Sequence, residues 1–385
     1  MQHRNLRSLM KAQLPAGLYA LLQQAGKTAE RQQVSVYAVG GFVRDLLLAT
    51  PTPDVDLAVE GQGICFANTF AQQHKARITT HERFGTATVT FADGQKLDIA
   101  TARTEDYAHP AALPHVEPST IGNDAHRRDF TINTMAVSLN PPRFGDLTDN
   151  CGGQRDLHDK IIRVLHDRSF IEDPTRVFRA IRFEQRLGFQ LSHETAQLIQ
   201  EAVTGNIIPR LSLSRLSDAI RLVLSERHPG NVLARLADFD LLQFIHPQLQ
   251  WSPGLARLLK QSEQAMAWHT RLHPTRPIQP WVVYGMALMA TLPQPDVVTA
   301  LARLQFPRRQ TRAMLRVRQE SHGLLQTLNQ RPRASSSETC RLLHNLPDET
   351  LMFLLAQTRS ETGKRLIAAA LSTAGTPPRS EPENT

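Results

Sequence analysis

Gly40-Gly41-Phe42-Val43-Arg44-Asp45, followed shortly by Asp54-Val55-Asp56, is the stretch that decides the fold of the first part of this chain. Before it, Val34 to Val39 is a short apolar run ending on the two glycines, as in a buried strand. After it, Phe42 to Leu48 reads as a helix, stopped by the loop that holds Pro51 and Pro53. Asp54 to Val59 then alternates polar and apolar residues, so both aspartates fall on one face of a strand. Two glycines between a strand and a helix let backbone approach a phosphate closely, with the helix start aimed at the anion. Arg44, one turn in, can reach a triphosphate oxygen. Carboxylates at i and i+2 on a strand can share hard cations such as Mg²⁺, and such ions assist phosphoryl transfer.

Either element alone is commonplace: a Gly-Gly turn is usually only a turn, and an Asp-x-Asp pair usually a solvated edge. Their order and separation make the pair informative. Working outward, Thr86 to Phe91 and Lys96 to Ala100 read as a hairpin around Ala92-Asp93-Gly94. Asp98 lies in the second strand of that hairpin, with Leu97 and Ile99 facing the other way. If this strand neighbours Asp56, three carboxylates converge, and one can take the proton of an attacking hydroxyl. Otherwise Asp98 is a surface residue on an edge strand. Arg103 falls in a loop, Thr101 to Pro114, long enough to move. Arg127 and Arg128 precede Asp129, an expected N-cap of a short helix, and can clamp phosphates or a ribose.

From about Asp156 the strand signals thin out. Leu157 to Leu165 can still form a strand-like edge. Asp173 to Leu187 is expected to be a helix, with Asp173 as N-cap and Pro174 at the first position. Arg176, Arg179 and Arg182 recur at steps of three and so share a broad face, which on most helices is simply a wet surface. The carboxylate one turn earlier changes the reading. An Asp acceptor beside an Arg donor matches the edge of cytosine or adenine and leaves uracil or guanine mispaired. Helical periodicity continues through Ser214 to Leu224, Asn231 to Phe239, Gly254 to Arg271, Trp281 to Leu292 and Arg309 to Leu328. Residues 373 to 385 are rich in Pro, Ser and Glu and read as disordered.

Composition bounds the rest. At 385 residues, 41% hydrophobic and 21% charged, the chain fits a multidomain globular protein. Its net charge of +8 points to a polyanionic partner. Only seven of the 44 basic residues are lysine, and arginine suits phosphates and base edges. Cys65, Cys151 and Cys340 stand far apart, which suits a reducing cytoplasm, and no apolar run approaches bilayer length. No feature points to a membrane or to a protein partner.

Six segments together carry a family resemblance: GGFVRD (Gly40 to Asp45), DVD (Asp54 to Asp56), HERFGTATV (His81 to Val89), IATARTEDY (Ile99 to Tyr107), RRDFTINTMAV (Arg127 to Val137) and EDPTRVFRAIRF (Glu172 to Phe183). The chain resembles the class II tRNA nucleotidyltransferases and bacterial poly(A) polymerases of the polymerase β superfamily. The resemblance implies an α+β fold: a polymerase β-like head with a mixed or antiparallel sheet, then an all-helical neck, body and tail. The expected divisions are residues 1–150 for the head, 151–225 for the neck and 226–372 for body and tail. It implies Mg²⁺ at Asp54 and Asp56, with Asp98 as third catalytic carboxylate. It implies triphosphate contacts from Gly41, Arg44 and one of Arg127 and Arg128, and base selection by Asp173 and Arg176 with Arg179 and Arg182 nearby. Glu172 would orient Arg176. The partners implied are ATP, CTP and the acceptor arm of tRNA, in the cytoplasm.

Complete CCA addition is favoured over A-only or CC-only addition, and poly(A) synthesis comes after these, because the basic insert associated with poly(A) polymerases is missing. A small-molecule nucleotidyltransferase would need only a head and a small partner domain. An inactive RNA-binding protein would not need all three carboxylates. Ala219 and Leu222 stand where the family usually has Glu and Lys, and no HD phosphohydrolase motif is seen in the C-terminal half.

Overall fold

The computed structural model describes residues 4–51, 54–329 and 337–373, so the C-terminal segment read as disordered lies almost wholly outside the described residues. The chain divides into two compact units, Met1–Arg210 and Leu211–Thr385.

The first unit is built on a mixed sheet. Helix α1 (Ala16–Arg31) leads into β1 (Ser35–Val39), then α2 (Gly41–Leu47), β2 (Val55–Glu60) and α3 (Gly63–Gln73). Strands β3 (Arg77–His81), β4 (Thr86–Thr90) and β5 (Lys96–Thr101) follow. Then come β6 (Arg103–Asp106), β7 (His115–Pro118), α4 (Ile121–His126), β8 (Ala136–Ser138) and β9 (Leu147–Thr148). Seven of these strands form one sheet in the order β3-β4-β5-β2-β1-β8-β9, with β6 and β7 as a separate pair. Every neighbour in the large sheet is antiparallel except β2 and β5.

Alternation decides which face is buried. On β2, Val55, Leu57 and Val59 are buried, as are Leu97 and Ile99 on β5. Phe66 and Phe70 of α3 are sealed in the same interior, each worth about 1.5–3 kcal/mol by burial. The opposite face carries Asp56 and Asp98. The hairpin turn closes with Gly94 at φ +86°, a conformation glycine adopts without strain.

Two local expectations change. The segment from Thr101 is no loop at its start, because β6 pairs with β7 and Arg103 is part of it. The edge expected over Leu157 to Leu165 is instead a short helix, Gly153–His158, and a two-residue strand, Ile161–Ile162, paired with Gln190–Leu191. The apolar residues of that stretch pack inward on both elements, so hydrophobicity alone did not fix the period.

Helix α5 (Thr175–Leu187) belongs to the first unit. The second unit is helical throughout its described residues. It includes α6 (Leu213–Leu224), α7 (Pro229–Asp238), α8 (Pro253–Leu272), α9 (Pro280–Met289) and α10 (Asp348–Gln357). Ser212 and Ser252 cap α6 and α8 by accepting the amides of Arg215 and Leu255. Helix α9 is buried from Val282 to Met289, which makes it the centre of this unit. Gly285 is required there, since a Cβ would lie 2.2 Å from the Phe306 ring. On α6, Ala219 is buried and Leu222 is 47% exposed.

Candidate active site

The turn at Gly40 is unusual in its backbone. Gly40 holds φ +68° and ψ −133°, and a Cβ there would come 3.1 Å from Nη1 of Arg128 and 3.8 Å from Oδ2 of Asp56. The missing side chain therefore lets an arginine and a carboxylate meet at the strand end. Behind it, Arg44 is buried. Its Nε and Nη2 donate to Asp45, and its Nη1 donates to Oδ1 of Asn133 at 2.8 Å.

The parallel pairing of β2 with β5 sets Asp56 directly beside Asp98. Desolvation raises the Asp56 carboxyl above its ordinary range, and the charge of Asp98 pushes it further; Arg128 opposes this and Asp54 adds to it. Asp98 Oδ1 accepts the hydroxyl of Thr88 at 2.5 Å. No group of three His, Cys, Asp or Glu side chains drawn tightly enough to hold a metal is found among the described residues. The donor set still fits Mg²⁺, which usually takes one or two carboxylates and completes its shell with water and substrate phosphates. Crowded carboxylates that resist ionising together are the local charge pattern a hard cation relieves.

The arginines are arranged in the opposite way. Asp124 is fully buried: its Oδ1 accepts Nε and Nη2 of Arg127, and its Oδ2 accepts Nε and Nη2 of Arg128, all at 2.7–3.0 Å. Burial alone would raise the Asp124 carboxyl, but the two guanidiniums outweigh it and hold it low. Glu105 is likewise held low, burial being outweighed by Arg127, Tyr107 and Arg103. Arg127 and Arg128 are thus a fixed pair rather than a solvated corner. Arg103 is fixed as well, by Glu105 and by the carbonyl of Phe84 at 2.6 Å.

Asp129 does not cap a regular helix. Its Oδ1 accepts Phe130 N and Asn133 Nδ2, and its Oδ2 accepts Arg179. Burial opposes ionisation here too, yet Arg179, Asn133 and Arg176 bring the Asp129 carboxyl down to about 2.

On α5 the expected N-cap shifts by one residue. The helix opens at Thr175 after Pro174, and Asp173 Oδ1 accepts both the amide and the hydroxyl of Thr175, at 2.9 and 2.5 Å. A proline directly after Asp173 makes this a turn before the helix rather than a cap on it. Arg176 and Arg182 are buried, so the stripe is no wet surface. Arg176 donates from Nη1 to Ser169 Oγ at 2.9 Å and from Nη2 to the carbonyl of Arg127 at 2.6 Å. Glu172 does not orient it; that carboxylate lies 3.6 Å from His166 Nε2 and 3.9 Å from Arg168 Nε instead. The short helix Ser169–Glu172 turns Glu172 away and leaves Ser169 in reach.

One cavity of about 770 Å³ gathers most of these groups. Its lining includes Gly41, Arg44, Asp54, Asp56, Arg127, Arg128, Asp173, Arg176 and Arg179. Asp98 lines an adjoining cavity of about 340 Å³ that shares Asp56, Arg127 and Arg128. Arg182 is not among the lining residues of either. Several participants escaped sequence reasoning: Asp124, Ser169, Asn133 and Phe183, whose ring has Arg44, Arg179, Arg182 and Arg186 within 5.1–5.8 Å. Asn133 and Phe183 sat inside quoted motifs. Ser169 and Asp124 carried no signal beyond their polarity.

Residues 36–163 match the Poly A polymerase head domain. The chain is 41% identical over 371 residues to an A-adding tRNA nucleotidyltransferase of Geobacter sulfurreducens, covering 95% of this chain but 42% of that protein. It is 30% identical over 308 residues to the CC-adding tRNA nucleotidyltransferase of Deinococcus radiodurans, covering 80% and 75%. A solved CCA-adding enzyme in an apo form superposes with a TM-score of 0.82 at 33% identity, over 97% of this chain and 87% of that one. Further solved chains of 30–32% identity are complexes of CCA-adding enzyme with ATP, with CTP and, from Thermotoga maritima, with tRNA. The chain spans about two fifths of the length of the Geobacter relative. With three quarters of the Deinococcus enzyme and most of the solved one covered, this chain belongs to the family of tRNA nucleotidyltransferases and bacterial poly(A) polymerases.

Proposed function

We propose that the protein extends the 3′ end of tRNA from nucleoside triphosphates without a nucleic-acid template, and that the terminal A is among the letters it adds. The observation that carries this reading is the single cavity in which Asp54 and Asp56 share walls with Asp173 and Arg176. A triphosphate held by Gly41, Arg44, Arg127 and Arg128 presents its α-phosphorus toward the carboxylates. Its base then lies against Asp173 and Arg176. The attacking 3′ oxygen displaces pyrophosphate, and one of Asp54, Asp56 and Asp98 receives the hydroxyl proton. Mg²⁺ bound at Asp54 and Asp56 would stabilise the entering and leaving oxygens.

Base choice follows from pairing. Asp173 accepts an exocyclic amino group and Arg176 donates to the neighbouring ring nitrogen, a pattern that C and A satisfy and U and G do not. Because Arg176 hangs on Ser169 and on the carbonyl of Arg127, the base reader and the phosphate clamp are mechanically one piece.

Complete CCA addition from CTP and ATP is the first reading. A-only addition is the second, favoured by the 41% identity to an A-adding relative against 30–33% to the CC-adding and CCA-adding ones. Incubation with tRNAs ending before CCA, after C or after CC, with ATP and CTP supplied separately, decides between them. CTP incorporation on the tRNAs ending before CCA or after C, together with ATP incorporation on the CC end, supports complete addition. CTP use with no ATP use means CC-only addition and overturns both readings. Use of ATP alone, and only on the CC end, establishes the second reading. Long A tails on unstructured RNA would overturn both.

A further inference from the structure

The second unit has a cavity of its own, about 550 Å³, within the usual range of roughly 300–1,000 Å³ for small-molecule sites. It lies where the start of α7 meets α8 and α9, and no feature of the function proposed above makes use of it. Three groups of observations describe it.

The first is the start of α7, a ten-residue helix whose N-cap position, His228, makes no side-chain capping bond. Pro229 has no N–H, so the amide of Gly230 is the first donor that the helix start presents, and Gly230 lines the cavity. Lys260 of α8, exposed, lines the same cavity. Together they suit a phosphate.

The second is Tyr284 of α9. It is 3% exposed and lines the cavity, and no hydrogen bond to its hydroxyl is found among the described residues. A phenol hydroxyl both donates and accepts, so it can pair with a group bound in the cavity. Burial raises its pKa and the charge of Glu263 raises it further, so it remains a donor at neutral pH.

The third is the rest of the lining. Trp251, half-buried, offers an aromatic face. Glu263 holds His228 through Oε1 and Nδ1 at 2.9 Å, which puts an acceptor carboxylate beside the anion-favouring helix start. A bare anion filling the cavity would meet that carboxylate unfavourably. A sugar hydroxyl would use it.

We propose that this cavity binds one ribonucleotide unit, its phosphate at the Gly230 amide and Lys260, its base against Trp251 and its ribose hydroxyl at Glu263. Two sources carry the same chemistry: a nucleotide within tRNA, or a free ribonucleoside monophosphate. The first rests on the function proposed above, and the second does not.

The test uses the full chain, with tRNA lacking its CCA end and 5′-AMP as probes, on Trp251→Ala, Lys260→Glu and Tyr284→Phe. Circular dichroism and Tm first establish that each variant is folded; Lys260→Glu, at an exposed position, keeps the test open if another is not. If the source is tRNA, Trp251→Ala and Lys260→Glu each raise its Kd about tenfold. Lys260→Glu alone also lowers the salt slope of binding by about one. If the source is free nucleotide, 5′-AMP occupies two sites on the unmodified protein and one on the variants, while tRNA binding is unchanged. Folded variants that bind both probes like the unmodified protein overturn the proposal. An unmodified protein that neither binds nor extends tRNA overturns the function proposed above, and the 5′-AMP arm then decides the pocket.

Discussion

Two groups of charged side chains at the candidate active site solve opposite electrostatic problems. On the sheet side, Asp54, Asp56 and Asp98 crowd negative charge, and Asp56 resists ionising. On the arginine side, Asp124, Asp129 and Glu105 each sit among guanidiniums and are held ionised. The carboxylate side therefore keeps a carboxyl that like charges and burial make costly to ionise, whereas the arginine side is already paired. Activity and stability should separate along this line: changes on the carboxylate side remove chemistry, and changes on the arginine side loosen structure.

The largest effect tests the carboxylate side. Asp54→Ala should cut nucleotide incorporation by about a thousandfold or more, as loss of metal-assisted transfer requires. Tm should be nearly unchanged, and Asp56→Asn should leave it equal or higher because like charges are relieved. A carboxylate-side variant that melts early while retaining activity would erase the contrast.

The arginine side is tested by Asp124→Ala, which leaves Arg127 and Arg128 without their shared partner. The expected loss is about 3–5 kcal/mol in the unfolding of the first unit, read by urea denaturation. KM for the nucleoside triphosphate should rise with it.

Selectivity comes next. Arg176→Ala should lower discrimination against UTP and GTP by about ten- to a hundredfold, measured in single-nucleotide competition. Ser169→Ala should do the same more weakly, by a few-fold, since it removes one hydrogen bond from Arg176. If Glu172→Gln has the larger effect, the role assigned to Ser169 is wrong.

The smallest effect is pH dependence. Asp129 titrates at about 2 in the folded state against an ordinary value near 3.9. Its folded pKa is depressed, so the unfolded chain binds more protons between these values. The stability contributed by the Asp129–Arg179 pair is therefore present above about pH 4 and lost as pH falls toward 2. Asp124 and Glu105 act in the same direction. Asp56 acts in the other, since its raised carboxyl gives up an unfavourable charge on acidification. Tm measured from pH 2 to 7 should fall toward the acid end, and less steeply in Asp129→Asn.

Local pattern made much of the fold legible. Alternation placed β2 and β5, and Gly40-Gly41 marked the strand end. Some misreadings occurred where a residue's partner is distant in sequence. The segment after Thr101 gives no local sign of pairing with His115–Pro118. Glu172, which the family resemblance implied as the support for Arg176, makes no hydrogen bond or ion pair with it among the described residues, and Ser169 and a carbonyl 49 residues away hold Arg176 instead.

By itself the sequence determined the inventory: two glycines, three carboxylates, an arginine-bearing helix and their order along the chain. Those choices are local, because backbone freedom, side-chain period and hydrogen-bonding type belong to each residue. Tertiary structure decided which charges remain crowded and which are paired. The parallel register of β2 with β5 put Asp98 beside Asp56, and the burial of Asp124 and Asp129 fixed the arginines around them. Electrostatic character depends on neighbours and on exclusion of water, and neither is written in any single stretch of chain.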